Sequence, residues 1–261
     1  MRTLTNPREA ADLPAVAADA LERIRKTRPR VHCITNAVAQ AFTANVMLAA
    51  GADPSMTIAV DEVADFVAGA NALLVNLGTM NPERHEAVGI AVEEAREGGV
   101  PWVLDPVFVD RSAVRLAFAR SLIDNGPRVI RLNAGEFTAF AGTPPDETAC
   151  ARFAGGQKLV VALTGTTDVV ADSRRRAAIA NGDAMMTRVT AMGCAGSALV
   201  TTCLAVESDP WRAAAAGLIL IGIAGEVAAA RAGGPGSLAY GILDALYTLD
   251  RATIMERARV S

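Results

Sequence analysis

Histidine is scarce in this chain: its 261 residues include two, His32 and His85. The four cysteines, Cys33, Cys150, Cys194 and Cys203, form no C-x-x-C pair. Together they supply too few well-spaced ligands for a zinc site. Scattered cysteines of this kind fit a cytoplasmic protein with reduced thiols. Basic excess is also lacking, since 25 lysines and arginines stand against 28 acidic residues. Nothing here condenses onto nucleic acid, and no nucleic-acid partner is expected. The first residues, Met-Arg-Thr-Leu-Thr-Asn-Pro7, are charged and broken by proline, so no export signal is read. A long uncharged stretch, Val189 to Val206, carries Thr190, Gly193, Gly196, Ser197, Thr201 and Thr202, and reads as a buried core helix. The apolar run Ala213 to Gly225 is too short to span a bilayer, so no membrane partner is expected. The commonest phosphate loops, G-x-x-x-x-G-K-[ST] and a G-x-G-x-x-G after a strand, are absent.

Apolar residues are what the chain has in plenty: 51% are hydrophobic and 20% charged, which excludes a mainly disordered chain. The mean hydropathy of +0.28 predicts apolar surface buried between subunits. Apolar strand-like runs alternate with helical ones. Strands are predicted at Val31–Ile34, Ser55–Val60, Ala72–Leu77, Val100–Leu104, Arg128–Leu132 and Lys158–Leu163. A hairpin is predicted from Asp168–Ala171 and Arg175–Ile179, with a further short strand at Ala184–Val189. After Gly193 the pattern is nearly all helical. Alternating strands and helices make a three-layer α/β fold, a mostly parallel sheet with helices on both faces. No linker or repeat divides the chain, so residues 1–261 read as a single domain.

Ligands in such folds bind beyond the carboxyl ends of the strands. The residues standing there are Asn36, Gly78, Asp105, Asn133, Thr164 and the glycines after Val189. Gly193 and Gly196 open a helix whose first amides lack internal partners, which together with the helix dipole suits a phosphate. Cys194 lies in that field, which favours thiolate over thiol. Asp105 and Glu136 at strand ends can hold magnesium through its waters. Arg131 offers a forked donor for phosphate oxygens. Each has a plainer reading: a glycine turn packing a helix, charge at a helix start, a surface ion pair. A cysteine hydrolase using Cys194 with His32 or His85, and a nucleotide-binding protein without chemistry, also stay open.

The motifs in order resemble the hydroxyethylthiazole kinases, thiamine-salvage enzymes of the ribokinase-like superfamily. The resemblance rests on Val31-His-Cys-Ile-Thr-Asn36, Gly51-Ala-Asp-Pro-Ser-Met56, Asn76-Leu-Gly-Thr79, Leu104-Asp-Pro-Val107, Arg131-Leu-Asn-Ala-Gly-Glu136, Ala162-Leu-Thr-Gly165 with Asp168-Val-Val-Ala-Asp172, and Val189-Thr-Ala-Met-Gly-Cys194. It implies transfer of the γ-phosphate of ATP to the alcohol of hydroxyethylthiazole with Mg2+, by a homotrimer with sites at subunit contacts. Another small-alcohol kinase of the superfamily is the alternative. Asn36, Val38, Met56, Gly78 and Ala191 are implied on the substrate side, and Arg131, Thr164, Gly193 and Asn133 on the ATP side. Asp105 and Glu136 are implied to organise the metal, and Cys194 occupies the catalytic position. Two departures stand out. Where many relatives read Asp-Pro-Val-Gly-x-Gly-Ala-Thr, this chain has Asp105-Pro-Val-Phe-Val-Asp-Arg-Ser112. Where many read Thr-Gly-x-Gly-Cys, it has Thr190-Ala-Met-Gly-Cys194, and an alanine at 191 resists positive φ and predicts a shifted loop.

Overall fold

The computed structural model describes residues 7–261. In chain order the elements are α1 (Pro7–Ala11), α2 (Leu13–Thr27), β1 (Arg30–Ile34), α3 (Gln40–Ala50), β2 (Asp53–Ser55), α4 (Val63–Ala68), β3 (Ala72–Asn76), α5 (Pro82–Gly98), β4 (Trp102–Asp105), α6 (Ala113–Ile123), β5 (Val129–Asn133), α7 (Ala134–Ala141), α8 (Glu147–Gln157) and β6 (Val160–Thr164). The hairpin β7 (Asp168–Ala171) and β8 (Arg176–Ile179) follows, then α9 (Met192–Leu204), α10 (Pro210–Ala229), α11 (Pro235–Thr248) and α12 (Arg251–Arg257). The strands form one eight-stranded sheet in the order β2-β1-β3-β4-β5-β6-β7-β8. Neighbours from β2 through β6 are parallel, and β7 and β8 are antiparallel.

Alternate residues of the parallel strands serve two cores. Val31, Cys33, Leu74, Val103 and Val129 enter the core shared with α2, α3, α9, α10 and α11. Ile34, Leu73, Val75, Leu104 and Ile130 enter the one shared with helices α4 to α8. Both faces of the sheet are therefore covered, which is why the strands are apolar throughout. Polar side chains set where many helices begin. Asn81, Ser112, Asn133, Asp146, Asp209 and Asp250 each accept a hydrogen bond from a first-turn amide, a contact worth about 1 kcal/mol.

Three expectations are corrected. The strand predicted at Ser55–Val60 is instead Asp53–Ser55, a short edge strand whose Pro54 is tolerated because an edge leaves one side unpaired. The segment predicted as a strand at Ala184–Val189 is a 3-10 turn over Ala184–Arg188, because Asp183 caps the Met185 amide. The chain thus enters α9 from a turn and not from a strand. The run Ala213–Gly225, read as too short to span, belongs to a 20-residue helix long and apolar enough to cross a membrane by length and composition. It is the one such helix among the described residues, and 78% of its apolar window is buried inside the fold. Its apolarity has a full account in core packing.

Candidate active site

A cavity of about 1050 Å³ opens at the carboxyl ends of the parallel strands. That is at or slightly above the ~300–1,000 Å³ common for small-molecule sites. Every central strand contributes to its wall: Asn36 beyond β1, Gly78 beyond β3, Asp105 closing β4, Arg131 within β5 and Thr164 closing β6. The start of α9 supplies Ala191, Gly193 and Cys194. Val38 and Glu136 also line it. Two sequence-predicted site residues are elsewhere. Met56 is partly buried against the core on the α2–α3 side. Asn133 is exposed, and its side chain caps α7 by accepting the Glu136 amide at 2.9 Å.

Cys194 is buried, and two side-chain amides point at its sulfur. Asn36 Nδ2 donates to Sγ at 3.0 Å and Asn76 Nδ2 at 3.3 Å. These contacts favour thiolate, as does Arg131, but burial and the nearby Asp105 carboxylate outweigh them and push the thiol up to about 11. The thiolate expected from the helix start is corrected: Cys194 is a neutral thiol near pH 7. Gly78 lets the two asparagines meet. A side-chain carbon at 78 would stand 2.6 Å from Asn36 Cβ and 3.0 Å from Asn76 Oδ1. Asn36 is steadied from below by Arg84, a buried guanidinium that donates to the Thr35 carbonyl.

The two carboxylates differ. Asp105 Oδ2 accepts from Asn76 Nδ2 and from Ser197 Oγ, both at 2.7 Å. Its Oδ1 is buried with no partner. Glu136 completes a capping box, with Oε2 accepting the Asn133 amide at 2.9 Å, while Oε1 accepts the Phe108 amide at 2.9 Å. Burial raises its pKa, with the two amides pulling the other way. Glu136 therefore ties the β4 loop to the start of α7.

Arg131 runs from β5 to the foot of α9. A side-chain carbon at Gly193 would come within 2.9 Å of its Nη1. Its Nε is buried without a hydrogen-bond partner. The residue before α9, Ala191, makes no side-chain cap and takes a left-handed conformation at φ 71°. The loop shift expected of an alanine is not needed, because Ala191 adopts the turn a glycine would take, at a cost on the order of 1 kcal/mol. Phe108, where many relatives were expected to have glycine, is likewise left-handed at φ 59°, and its ring carries the Arg111 guanidinium 4.8 Å from its centroid.

Three residues here were not singled out as site residues from the sequence. Asn76 and Ser197 hold Asp105, and Asp168 lines the cavity with its pKa pushed up to about 6 by burial, against the Gly165 amide and Arg131. Asn76 closes an apolar strand and Asp168 opens the hairpin, so their places at strand ends were the available signal. The histidines are not in the cavity wall. His32 is buried between Ser55 Oγ at 2.8 Å and the Thr57 carbonyl at 3.1 Å, and burial lowers its pKa to about 4. His85 is exposed and stacks on Phe118. Neither histidine therefore stands at the cavity to serve Cys194 as a hydrolase base.

Comparison with known proteins agrees with this geometry. A family model described as the hydroxyethylthiazole kinase family matches residues 21–252. Hydroxyethylthiazole kinase of Granulibacter bethesdensis is 45% identical, covering 97% of each chain. That of Klebsiella pneumoniae strain 342 is 45% identical over 90% of this chain and 96% of its own. The solved structure of hydroxyethylthiazole kinase protein from Pyrococcus horikoshii OT3 superposes with a TM-score of 0.90 at 34% identity, covering 95% of this chain and 98% of the other. A ribokinase-like superfamily protein from Enterococcus faecalis V583, at 12% identity and a TM-score of 0.67, shares the fold alone.

Proposed function

The chain belongs to the hydroxyethylthiazole kinase family, and we propose that it works as one kinase domain with its chemistry at the cavity over the strand ends. It is a kinase that transfers phosphate to the alcohol of hydroxyethylthiazole, with ATP as co-substrate. The observation that carries the site assignment is the pairing of Arg131 with the uncapped start of α9 at Gly193. A guanidinium and free first-turn amides on one wall make an anion cradle, and the triphosphate lies there. Thr164 stands at the end of β6, beside the same wall. The thiazole lies toward Asn36, Val38, Gly78 and Ala191, with its hydroxyethyl arm directed at the terminal phosphate.

Magnesium fits the carboxylates present. Mg2+ keeps several waters and takes one or two carboxylates with the phosphates. Asp105 Oδ1 is a buried acceptor without a partner, and Glu136 lines the same cavity close enough to feel the Asp105 charge, with lone pairs to spare beyond its amide contacts. No group of three or more metal-binding side chains exists among the described residues, so a bound ion would need phosphate oxygens and water beside Asp105 and Glu136. When bound, the ion would offset charge on the phosphate oxygens.

Phosphoryl transfer passes through a loose transition state, so positioning and electrostatics do most of the work. The alcohol loses its proton late, and a strong base is not required. A neutral Cys194 thiol, held by Asn36 and Asn76, suits a supporting role there.

We also place the site at a subunit contact of a homotrimer. Val38 lies at the cavity wall yet is 68% exposed, a side chain that a neighbouring copy would cover. In that arrangement Met56, on the edge of the sheet and away from its own cavity, serves a neighbour's substrate. Four unpaired buried thiols support a reducing, cytoplasmic setting. The phosphorylated thiazole then serves thiamine salvage.

The test is steady-state turnover with ATP, Mg2+ and a panel of small alcohols, following the phosphate ester by phosphorus NMR. Hydroxyethylthiazole is expected to have the highest kcat/KM. A different alcohol turned over far better would defeat the substrate assignment.

A further inference from the structure

Asn76 closes β3 and is fully buried, and every polar atom of its amide is used. Nδ2 has two hydrogens: one goes to Asp105 Oδ2 at 2.7 Å and the other to Cys194 Sγ at 3.3 Å. Oδ1 accepts the Gly78 amide at 3.0 Å. Turning the amide over would set oxygen against carboxylate and N–H against N–H, so a single orientation is allowed. Ser197, on α9, donates to the same Asp105 oxygen at 2.7 Å.

A carboxylate at a strand end can present either oxygen by rotating. Here two donors from different elements hold Oδ2, and the other oxygen, though buried, is left without a partner. We propose that Asn76 is a positioning residue, which together with Ser197 locks the Asp105 carboxylate so that Oδ1 alone is offered to the metal. The same amide ties that carboxylate to Cys194, so the metal end and the acceptor end of the site share one rigid link. This rests on the reading that Asp105 takes part in magnesium binding. Two donors on one oxygen and none on the other is more than core packing needs, since a buried carboxylate shared evenly would satisfy both atoms.

The experiment measures Mn2+, standing in for Mg2+, binding to the full chain saturated with the non-hydrolysable β,γ-imido analogue of ATP, by electron paramagnetic resonance. Asp105→Asn should weaken Mn2+ binding by about 10-fold or more, and Asn76→Ala by about 10-fold, the usual effect of removing a partner of a metal ligand. Asn76→Ala added to Asp105→Asn should cost less than about 2-fold more, because both act on one group. Ser197→Ala, which leaves the thiol untouched, should weaken binding like Asn76→Ala and serves the same purpose if that variant does not fold. In turnover, Asn76→Ala should lower kcat and leave the KM for hydroxyethylthiazole within about 2-fold. If Asp105→Asn leaves Mn2+ affinity unchanged, the magnesium reading itself fails. If Asp105→Asn weakens it while Asn76→Ala and Ser197→Ala do not, or if Asn76→Ala costs the same in both backgrounds, that reading stands and Asn76 has no positioning role.

Discussion

Gly193 and Arg131 leave no room between them for a methyl group: a carbon there would stand 2.9 Å from Nη1 and 3.4 Å from Nη2. The glycine is thus needed for the guanidinium to lie flat against the start of α9. Gly193→Ala is expected to push Arg131 aside and lower kcat/KM for ATP by about 10- to 100-fold. The unfolding free energy should change little, since the displaced group is a side-chain tip. Kinetics with varied ATP check this; a loss of stability as large as the loss of activity would point to a structural glycine instead.

Gly78→Ala meets firmer atoms. The new carbon would lie 2.6 Å from Asn36 Cβ, which is anchored to its backbone. Overpacking of this kind costs about 1–3 kcal/mol. It should also part Asn36 from Cys194 and Asn76, so turnover falls together with stability. Urea unfolding alongside thiazole kinetics would show both; wild-type turnover would mean that the asparagine pair does not matter to catalysis.

With its thiol pushed up to about 11, Cys194 is ionised in about one molecule in ten thousand at pH 7. Alkylation by iodoacetamide should therefore be slow at neutral pH and rise about tenfold per pH unit until near pH 10. ATP with hydroxyethylthiazole should protect it. Because a neutral thiol is a weak base, Cys194→Ala should retain measurable phosphorylation, and Cys194→Asp should equal or exceed wild type. Complete loss in both variants would assign the sulfur a covalent role.

The strand ends are legible because continuous apolar runs and polar punctuation are local signals. Asn36, Asp105, Arg131 and Thr164 all stand at the cavity as the order of strands implied. What local pattern could not give is pairing across the chain. The Asn36–Cys194 contact spans 158 residues, and Ser197–Asp105 spans 92. For the same reason the sequence alone points to the wrong charge state for Cys194: the helix start is visible in it, while the burial and the Asp105 carboxylate that oppose it are not. The turn at Ala184–Arg188 carries a strand-like pattern because its methionines and Thr187 are apolar or β-branched, and the single polar cap from Asp183 decides against it.

Asp168 gives a dependence on pH with a definite sign. Its folded pKa of about 6 exceeds the ordinary 3.8, chiefly through burial. The protonated form is favoured in the folded chain, so this group's contribution is full below about pH 4 and is lost as pH rises through about 6. Asp168→Asn keeps the shape and an acceptor for the Gly165 amide without the charge. It should raise the unfolding temperature more at pH 8 than at pH 4. Equal shifts at the two pH values would mean that the carboxyl titrates normally.

The central claim is that Arg131 and the first amides of α9 hold the phosphates of ATP while the alcohol approaches from the Asn36 side. A crystal structure of the protein with the β,γ-imido analogue of ATP, Mg2+ and hydroxyethylthiazole tests it most directly. The account predicts the terminal phosphate within hydrogen-bond distance of the Gly193 and Cys194 amides and of the Arg131 guanidinium, with the hydroxyl pointing at it. A triphosphate lying elsewhere, with that wall untouched, would contradict it.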